Sequence, residues 1–232
     1  LNIAIIPARG GSKRIPRKNI KTFAGQPMIA YSINAALASG CFDDIVVSTD
    51  DAEIAEVSES FGASVPFMRP ESLATDVAGT MPVVEHAIKS LSYNNQIQHV
   101  CLIYPTAPLI NSINIAKAYH LFIKSNATYT FSAVTYPSPI QRALKFDENT
   151  GVEMFYPQYL DSRSQALTEA YHDAAQFYWG RVDAFKKQLP VFAGYSNIFR
   201  ISRWHAQDID TEEDWRYAEL LFKLQAQSAD NK

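Results

Sequence analysis

No acidic residue occurs in the first 42 positions of this chain; the first is Asp43. Six basic residues stand in that acid-free stretch: Arg9, Lys13, Arg14, Arg17, Lys18 and Lys21. They leave fifteen of the 21 Lys and Arg residues to face all 24 Asp and Glu residues over the rest of the 232 positions. A net charge of −3 therefore conceals a segregation of sign, which points to a site where anions are held. The same modest total excludes a general nucleic-acid coat. Cysteine is scarce as well. Cys41 and Cys101 lie sixty positions apart in apolar surroundings, which fits reduced core thiols of a cytoplasmic protein rather than a disulfide framework. No apolar run approaches the roughly 18 residues of a membrane span. The apolar start, Leu1–Ala8, lacks the charged flank and cleavage pattern of a signal peptide. Zinc-ligand spacing, a Gly-x-Ser-x-Gly elbow, a reactive-cysteine context and internal repeats are all missing.

What is present is globular. Hydrophobic residues make up 47% and charged residues 19%, which argues against disorder. A chain of this length buries roughly 70% of its unfolded surface and needs no staple. It suits one domain, residues 1–232, with a small insertion. Residues 2–8 read as a strand buried on both faces. Pro27 opens a helix in which Ile29, Ile33 and Leu37 recur every four residues, and Gly40 ends it. Ile45–Thr49 is a second strand, and Asp50 or Asp51 caps a helix closing at Gly62. A short strand at Ser64–Phe67, a helix capped by Thr80 and running through Leu91, a strand at Val100–Tyr104 and a helix at Ser112–Lys124 follow. Repeated strand–helix alternation predicts a mainly parallel sheet covered on both faces, with ligands at the carboxyl ends of its strands. The rhythm breaks over residues 135–173, read as an inserted β-rich arm. Gln176–Tyr178 returns to the sheet, Val191–Ile201 supplies one or two strands, and Thr211–Gln225 is the last helix. Residues 226–232 read as frayed.

The basic loop Ala8-Arg9-Gly10-Gly11-Ser12-Lys13-Arg14 directly follows the first strand. Paired glycines allow positive φ and close backbone approach, and successive N–H groups in such a turn can form an anion nest. Arg9, Lys13 and Lys18 add charge suited to a polyphosphate. The loop is neither a Walker A motif nor a dinucleotide fingerprint. A localisation tag or a merely solvated basic turn are the plain alternatives.

An acidic cluster answers this loop. Asp208-Ile209-Asp210-Thr211-Glu212-Glu213-Asp214 holds five acids in seven residues. Glu212, Glu213 and Asp214 suit the first turn of a helix capped by Thr211. Asp208 and Asp210 precede that turn. In extended chain they project to one face, and two carboxylates near phosphates form a Mg²⁺ site. Two exposed loop acids are the alternative.

Ile6-Pro7-Ala8-Arg9-Gly10-Gly11-Ser12-Lys13, followed by Pro16-x-Lys18-Asn19, resembles the signature of the CMP-sialic acid synthetases, cytidylyltransferases that activate acidic nine-carbon sugars with CTP. The longer form Lys13-Arg14-Ile15-Pro16-Arg17-Lys18-Asn19-Ile20 is similar to the pseudaminic acid branch. The resemblance implies an α/β fold, a three-layer Rossmann-like nucleotide-diphospho-sugar transferase with a mainly parallel sheet and a small β-rich dimerisation arm. It also implies a likeness of Asp208 and Asp210 to the family's metal site, with Mg²⁺ as cofactor. By the same resemblance Ala8, Arg9, Gly10, Gly11, Ser12, Lys13, Lys18 and Asn19 hold nucleotide, with Arg9 and Lys18 in catalytic roles. Arg69, Asp76 and Thr80 look like the segment bordering the pyrimidine. There an Arg and a hydroxyl suit cytosine O2 and N3, with a carbonyl left for the amino group.

Tyr104-Pro105-Thr106-Ala107-Pro108-Leu109 resembles the family's Gln-Pro-Thr-Ser-Pro-Leu, so Thr106 joins the nucleotide set, while Tyr104 replaces the usual amide. Ser138–Ala143 and His172–Gly180 look like the pseudaminic acid branch, although Ala175 stands where that branch carries Gly. On this likeness Arg142 or Arg163 would hold a sugar carboxylate, and Gln141 and Gln176 would bond amides or hydroxyls. Tyr171 and Asp173 complete the sugar set. The insertion's arginines otherwise make homodimer contacts, since the family pairs through such an arm. The implied reaction transfers CMP from CTP to the anomeric hydroxyl of a nonulosonic acid, with neither nucleic acid nor membrane as partner. The same reaction on N-acetylneuraminic or legionaminic acid is the near alternative. A non-catalytic CTP-binding protein is the alternative of a different class.

Overall fold

The computed structural model describes residues 1–75 and 77–230, with side chains to 227. Asp76 therefore lies outside the described residues. In chain order the elements are β1 (Asn2–Pro7), a small hairpin of β2 (Thr22–Phe23) and β3 (Gln26–Pro27), α1 (Met28–Ser39), β4 (Asp44–Ser48), α2 (Ala52–Ser60), α3 (Thr80–Ser90) and β5 (His99–Ile103). After these come α4 (Ser112–Ser125), β6 (Tyr129–Thr135), β7 (Leu144–Asp147), β8 (Gly151–Met154), β9 (Tyr171–Arg181), α5 (Val182–Lys186), β10 (Ser196–Arg200) and α6 (Glu212–Asp230).

Six strands form one sheet in the order β10-β6-β9-β5-β1-β4. β1 pairs in parallel with β4 on one side and β5 on the other. β9 runs antiparallel to both β5 and β6. Apolar residues cover both faces, giving three layers. On one face Ile29 and Ile33 of α1, Ile54 of α2, and Ile115 and Phe122 of α4 join Ile6, Val47 and Trp179 of the sheet. On the other, Val84, Ala87 and Ile88 of α3 and Phe185 of α5 meet Ile3, Val46 and Tyr178. Burying each such side chain stabilises the fold by roughly 1.5–3 kcal/mol.

The helix signals hold where their chemistry is local. Gly40 ends α1 in the left-handed conformation, and Asp51, rather than Asp50, caps α2 by accepting from the N–H groups of Glu53 and Ile54. Four expectations change. Leu37 is 48% exposed, and Met28, Ala30, Ser32 and Ala36 share the inward surface instead. Gly79, not Thr80, occupies the N-cap of α3. α6 continues through Asp230, past the point where fraying was expected. Ser64 and Met68 make only isolated bridges to β4 and Thr49 rather than a strand. Between β6 and β9 the chain leaves the sheet, and β7 and β8 pair with each other as an antiparallel hairpin. Among the described residues no helix is long and apolar enough to cross a membrane.

Candidate functional site

Strand order reverses at β1, which β4 flanks on one side and β5 on the other. Chains leaving adjacent carboxyl ends diverge there and open a crevice. A cleft of about 380 Å³ occupies this place. Arg9, Ser12, Lys13, Arg14, Lys18 and Asn19 of the basic loop line one side of it. Arg69, Leu73, Thr75, Ala78, Thr80 and Val83 line another, and Tyr104–Thr106 and Asp210 complete the wall.

An apolar anchor joins the basic loop to the acidic segment. Ile15 and Ile209 are buried with Phe23, Met28, Trp215 and Ala218. Ile209 points inward in extended chain, so Asp208 and Asp210 on either side of it project together toward the loop. Thr211 and Asp214 then start α6 with reciprocal bonds: the Thr211 hydroxyl accepts from the Asp214 N–H at 3.2 Å, and the Asp214 carboxylate accepts from the Thr211 N–H at 2.8 Å. Lys18 donates to the Ile209 carbonyl and lies 3.6 Å from the Asp210 carboxylate. Arg14 pairs with Asp210 at 2.9 Å. The Asp208 carboxyl is raised above the usual range, first by burial and then by the charge of Asp210. Asp210 lines the cleft and its charge acts on Asp208 beside it, a pair that suits Mg²⁺, which takes one or two carboxylates and leaves its other positions to phosphate and water. Among the described residues no third acid, His or Cys joins them in a closed metal cluster.

The six basic residues divide. Arg9, Lys13, Arg14 and Lys18 face the cleft. Arg17 turns away to a two-pronged bond with Asp51 and a further bond to Glu53, with its own backbone at φ 56°. Lys21 pairs with Glu212 at 2.8 Å and sits 4.5 Å over the Trp215 ring. The paired glycines act differently from the sequence expectation, since neither has positive φ. The Gly10 N–H donates to the Asp50 carboxylate at 3.0 Å, and a Cβ on Gly10 would lie 2.6 Å from an Asp51 oxygen. A Cβ on Gly11 would meet nothing within 4 Å. Gly10 is thus required for close approach to α2, not for conformation. Ala8 is fully buried, and Asn19, 5% exposed, ties the loop by donating to the Arg9 carbonyl at 2.9 Å.

Arg69 is buried and bonds the Ser48 hydroxyl at 3.1 Å and the Ser48 carbonyl. Burial draws its guanidinium down to about 10, with Asp50 opposing that shift and Arg9 adding to it. Asp173 lies close enough to Tyr104 and Asp208 for its charge to act on both. Burial raises its carboxyl, while bonds from the Tyr178 hydroxyl and the Ala175 N–H lower it.

None of the residues assigned to the sugar lines this cleft. Gln141 donates to the Thr168 carbonyl at 3.0 Å, and Arg142 reaches the Ser164 hydroxyl at 3.4 Å. Both sit with Arg163 in the segment that has left the sheet. Tyr171 bonds Glu169 under the Arg200 guanidinium. Gln176 is 2% exposed and donates to the His205 carbonyl, while its own carbonyl oxygen has no partner among the described residues.

Sequence reasoning missed several members. The Arg17–Asp51–Glu53 latch joins residues more than thirty positions apart, with no local signal. The Arg14–Asp210 pair was hidden among equivalent charges. Tyr178 has no role of its own in the sequence reading of His172–Gly180, although its hydroxyl bonds the Asp173 carboxylate five positions earlier.

Residues 3–204 match the family model described as cytidylyltransferase. The chain is 48% identical over 229 residues, 98% of its own length and 99% of the relative's, to a pseudaminic acid cytidylyltransferase of Campylobacter jejuni. It is 30% identical to a CMP-N,N'-diacetyllegionaminic acid synthase of Legionella pneumophila, covering 96% of each chain. Among solved structures it resembles CMP:2-keto-3-deoxy-manno-octonic acid synthetase complexed with CTP. The TM-score is 0.73 at 15% identity, covering 97% of this chain and 99% of that one, a likeness of fold.

Proposed function

The chain belongs to the cytidylyltransferase family of CTP-dependent nucleotidyltransferases, and from that premise we propose that it transfers CMP from CTP to the anomeric hydroxyl of pseudaminic acid. The observation that carries the reading is the cleft that Arg9, Lys13, Arg14 and Lys18 share with Asp210, which pairs with Arg14 and Lys18. The full-length likeness to a pseudaminic acid enzyme supports the choice of sugar. In the reaction the sugar's anomeric hydroxyl gives up its proton to solvent, its oxygen bonds to the α-phosphorus, the α–β phosphoanhydride bond breaks, and pyrophosphate leaves. Phosphoryl transfer of this kind needs positioning and charge neutralisation more than covalent help.

Arg9, Lys13 and Lys18 hold the triphosphate, and Arg9 and Lys18 steady the charge that collects on the leaving pyrophosphate. Ser12, Asn19 and Thr106 line the same cleft and complete the nucleotide contacts. Arg69 and Thr80 read the base. Asp208 and Asp210 would hold Mg²⁺, which supplies positive charge to the phosphate oxygens when bound. Asp173, whose charge reaches Tyr104 and Asp208, takes a sugar hydroxyl or amide.

The hairpin segment exposes Leu144, Phe146, Val152, Phe155 and Leu160, each more than half exposed. An isolated hairpin with so much apolar surface calls for a partner, and a second copy of this chain is proposed. Gln141, Arg142 and Arg163 then lie at the dimer contact, where the arginines meet either the sugar carboxylate or the partner. The reaction belongs to the cytoplasm, where thiols such as Cys41 and Cys101 stay reduced.

Pyrophosphate release from CTP and Mg²⁺ with pseudaminic, N-acetylneuraminic and legionaminic acids tests the reading. The highest kcat/KM is expected with pseudaminic acid. Faster turnover of another sugar reassigns the substrate, and no turnover with any of them removes the function.

A further inference from the structure

Arg69 is held along one edge of its guanidinium. The Nε–H donates to the Ser48 hydroxyl at 3.1 Å, and Nη2 donates to the carbonyl oxygen of the same residue. The Arg69 backbone N–H donates to the Thr49 carbonyl at 2.7 Å, so main chain and side chain are both tied to the end of β4. Ser48 is fully buried as the last residue of that strand and pairs in register with Pro7 of β1. Its carbonyl also accepts from the Ala8 N–H at 2.9 Å, where the basic loop begins. One residue thus seats both the loop and Arg69.

A guanidinium is planar and carries five N–H bonds in fixed directions. Nε and the Nη group on its side form one edge, and the two Nη groups form another at the tip. Ser48 takes the first edge whole. The tip remains, with one N–H on each Nη directed away from Ser48, and Nη1 has no hydrogen-bond partner among the described residues. Arg69 lines the cleft although only 6% of it is exposed. The apolar Leu73, Ala78 and Val83 line the cleft with it, a setting for a flat base.

We infer that Ser48 is a positioning residue for base choice: by holding the Nε–Nη2 edge of Arg69 it fixes the tip as a two-donor fork that fits cytosine and rejects uracil. The inference rests on the CTP reading above. Cytosine presents O2 and N3 side by side as acceptors, and a fork of donors satisfies both. Uracil keeps O2 but carries a proton on N3, so one arm of the fork meets another donor and both are left unpaired. O2 and N3, expected to be shared between Arg69 and Thr80, both fall to the fork. A guanidinium free to turn drops one arm and binds uracil through O2 alone. Discrimination therefore depends on what holds the arginine from behind as well as on the arginine.

The test compares CTP with UTP in pyrophosphate release, and measures binding of each nucleotide by calorimetry without sugar. In Ser48→Ala the CTP:UTP ratio of kcat/KM, and the matching ratio of affinities, are expected to fall about three- to tenfold, the worth of one hydrogen bond. Ser48→Cys, close in volume and a weak acceptor, should lower the ratio too and carries the test if Ser48→Ala does not fold. Arg69→Lys keeps the charge but offers no fork, and its ratio should fall at least as far. Because Ser48 acts through Arg69, adding Ser48→Ala to Arg69→Lys should lower the ratio no further. A merely structural role for Ser48 weakens both nucleotides alike and leaves the ratio unchanged, and that result overturns the inference, as does a further fall in the double variant. Failure of the wild-type protein to use CTP with any nonulosonic acid overturns the proposed function instead, while a calorimetric preference for CTP that Ser48→Ala abolishes still upholds the role of Ser48.

Discussion

Gly10→Ala separates a loop that is merely glycine-rich from one that is docked. The new Cβ would lie 2.6 Å from an Asp51 carboxylate oxygen, 3.0 Å from its Cβ and 3.1 Å from its Cγ. Asp51 cannot step back freely. Its carboxylate caps α2 through the Glu53 and Ile54 N–H groups, each at 3.0 Å, and is gripped by Arg17. Overpacking of this kind costs about 1–3 kcal/mol. In a domain of this length each kcal/mol moves Tm by about 2–4 °C, so a fall of about 2–12 °C is expected. If the loop yields instead, Arg9 and Lys13 shift with it. A misplacement of about 1 Å at a reacting centre costs on the order of 10²-fold in rate. The variant should therefore lose between about 10- and 100-fold in kcat/KM for CTP, with a smaller thermal upshift on adding CTP. Gly11→Ala is the control for folding, because its Cβ meets nothing within 4 Å and its φ is not positive. Its Tm without nucleotide should equal or exceed that of wild type. Wild-type Tm and CTP kinetics in Gly10→Ala, or equal thermal damage in Gly11→Ala, would refute the docking argument.

Arg17→Ala removes the latch without touching the cleft, so the KM for CTP should rise as the loop loosens. A hydrogen bond from Arg17 is the largest cause holding the Asp51 carboxyl below its usual range. That contribution is complete above the ordinary value of about 3.9 and is lost as pH falls through the lower folded value. The Tm gap between wild type and Arg17→Ala should close on acidification from neutral pH, and a constant gap refutes the latch. Ala175 sits at φ 51°, a conformation costing a non-glycine residue about 1–2 kcal/mol. The greater freedom of Gly in the unfolded chain returns about 0.4–1 kcal/mol of that, so Ala175→Gly should gain up to about 1.5 kcal/mol by thermal melting. A lower Tm would show that the methyl group packs usefully. Asp210→Asn frees Arg14 and Lys18 from their carboxylate partner. Metal-free CTP binding should tighten about two- to fivefold, in keeping with exposed ion pairs. Mg²⁺-dependent turnover should fall at least about 100-fold, and retention of normal metal dependence sinks the assignment.

Local chemistry was legible in the sequence, and remote geometry was not. The buried runs at β1, β4 and β5, the helix stop at Gly40 and the helix start at Asp51 are short-range signals, and each stands within a residue or two of its expected place. β6 is rich in β-formers over Tyr129–Thr135 but is buried on both faces, so no apolar–polar alternation marks it. The antiparallel course of β9 depends on where the chain re-enters the sheet, which no periodicity encodes. A slip in the pairing of β9 with β6 between Phe131 and Ala133, with Ala175 at positive φ, interrupts the ladder in mid-strand. The charge segregation pointed to the cleft but overstated how much charge faces it, since Arg17 and Lys21 pair with Asp51 and Glu212.

That overstatement has a physical reason. A loop carrying six like charges repels itself and needs an anchor that charge cannot supply. Ile15 provides it by burying against Ile209 and Trp215, which brings the acidic segment to the loop whatever occupies the cleft. Two of the six charges then tie the loop to α2 and α6, and the other four are left toward the cleft. Asp210 already pairs with Arg14 and Lys18 across it. A triphosphate entering there meets cations that are positioned but only weakly committed, because exposed pairs are worth about 1 kcal/mol or less. Displaced from its cations, the Asp210 carboxylate stands beside Asp208 with its negative charge uncompensated. One act of anion binding thus creates demand for a cation at that pair. Nucleotide and Mg²⁺ should therefore bind with positive coupling, each raising the affinity for the other by the same factor.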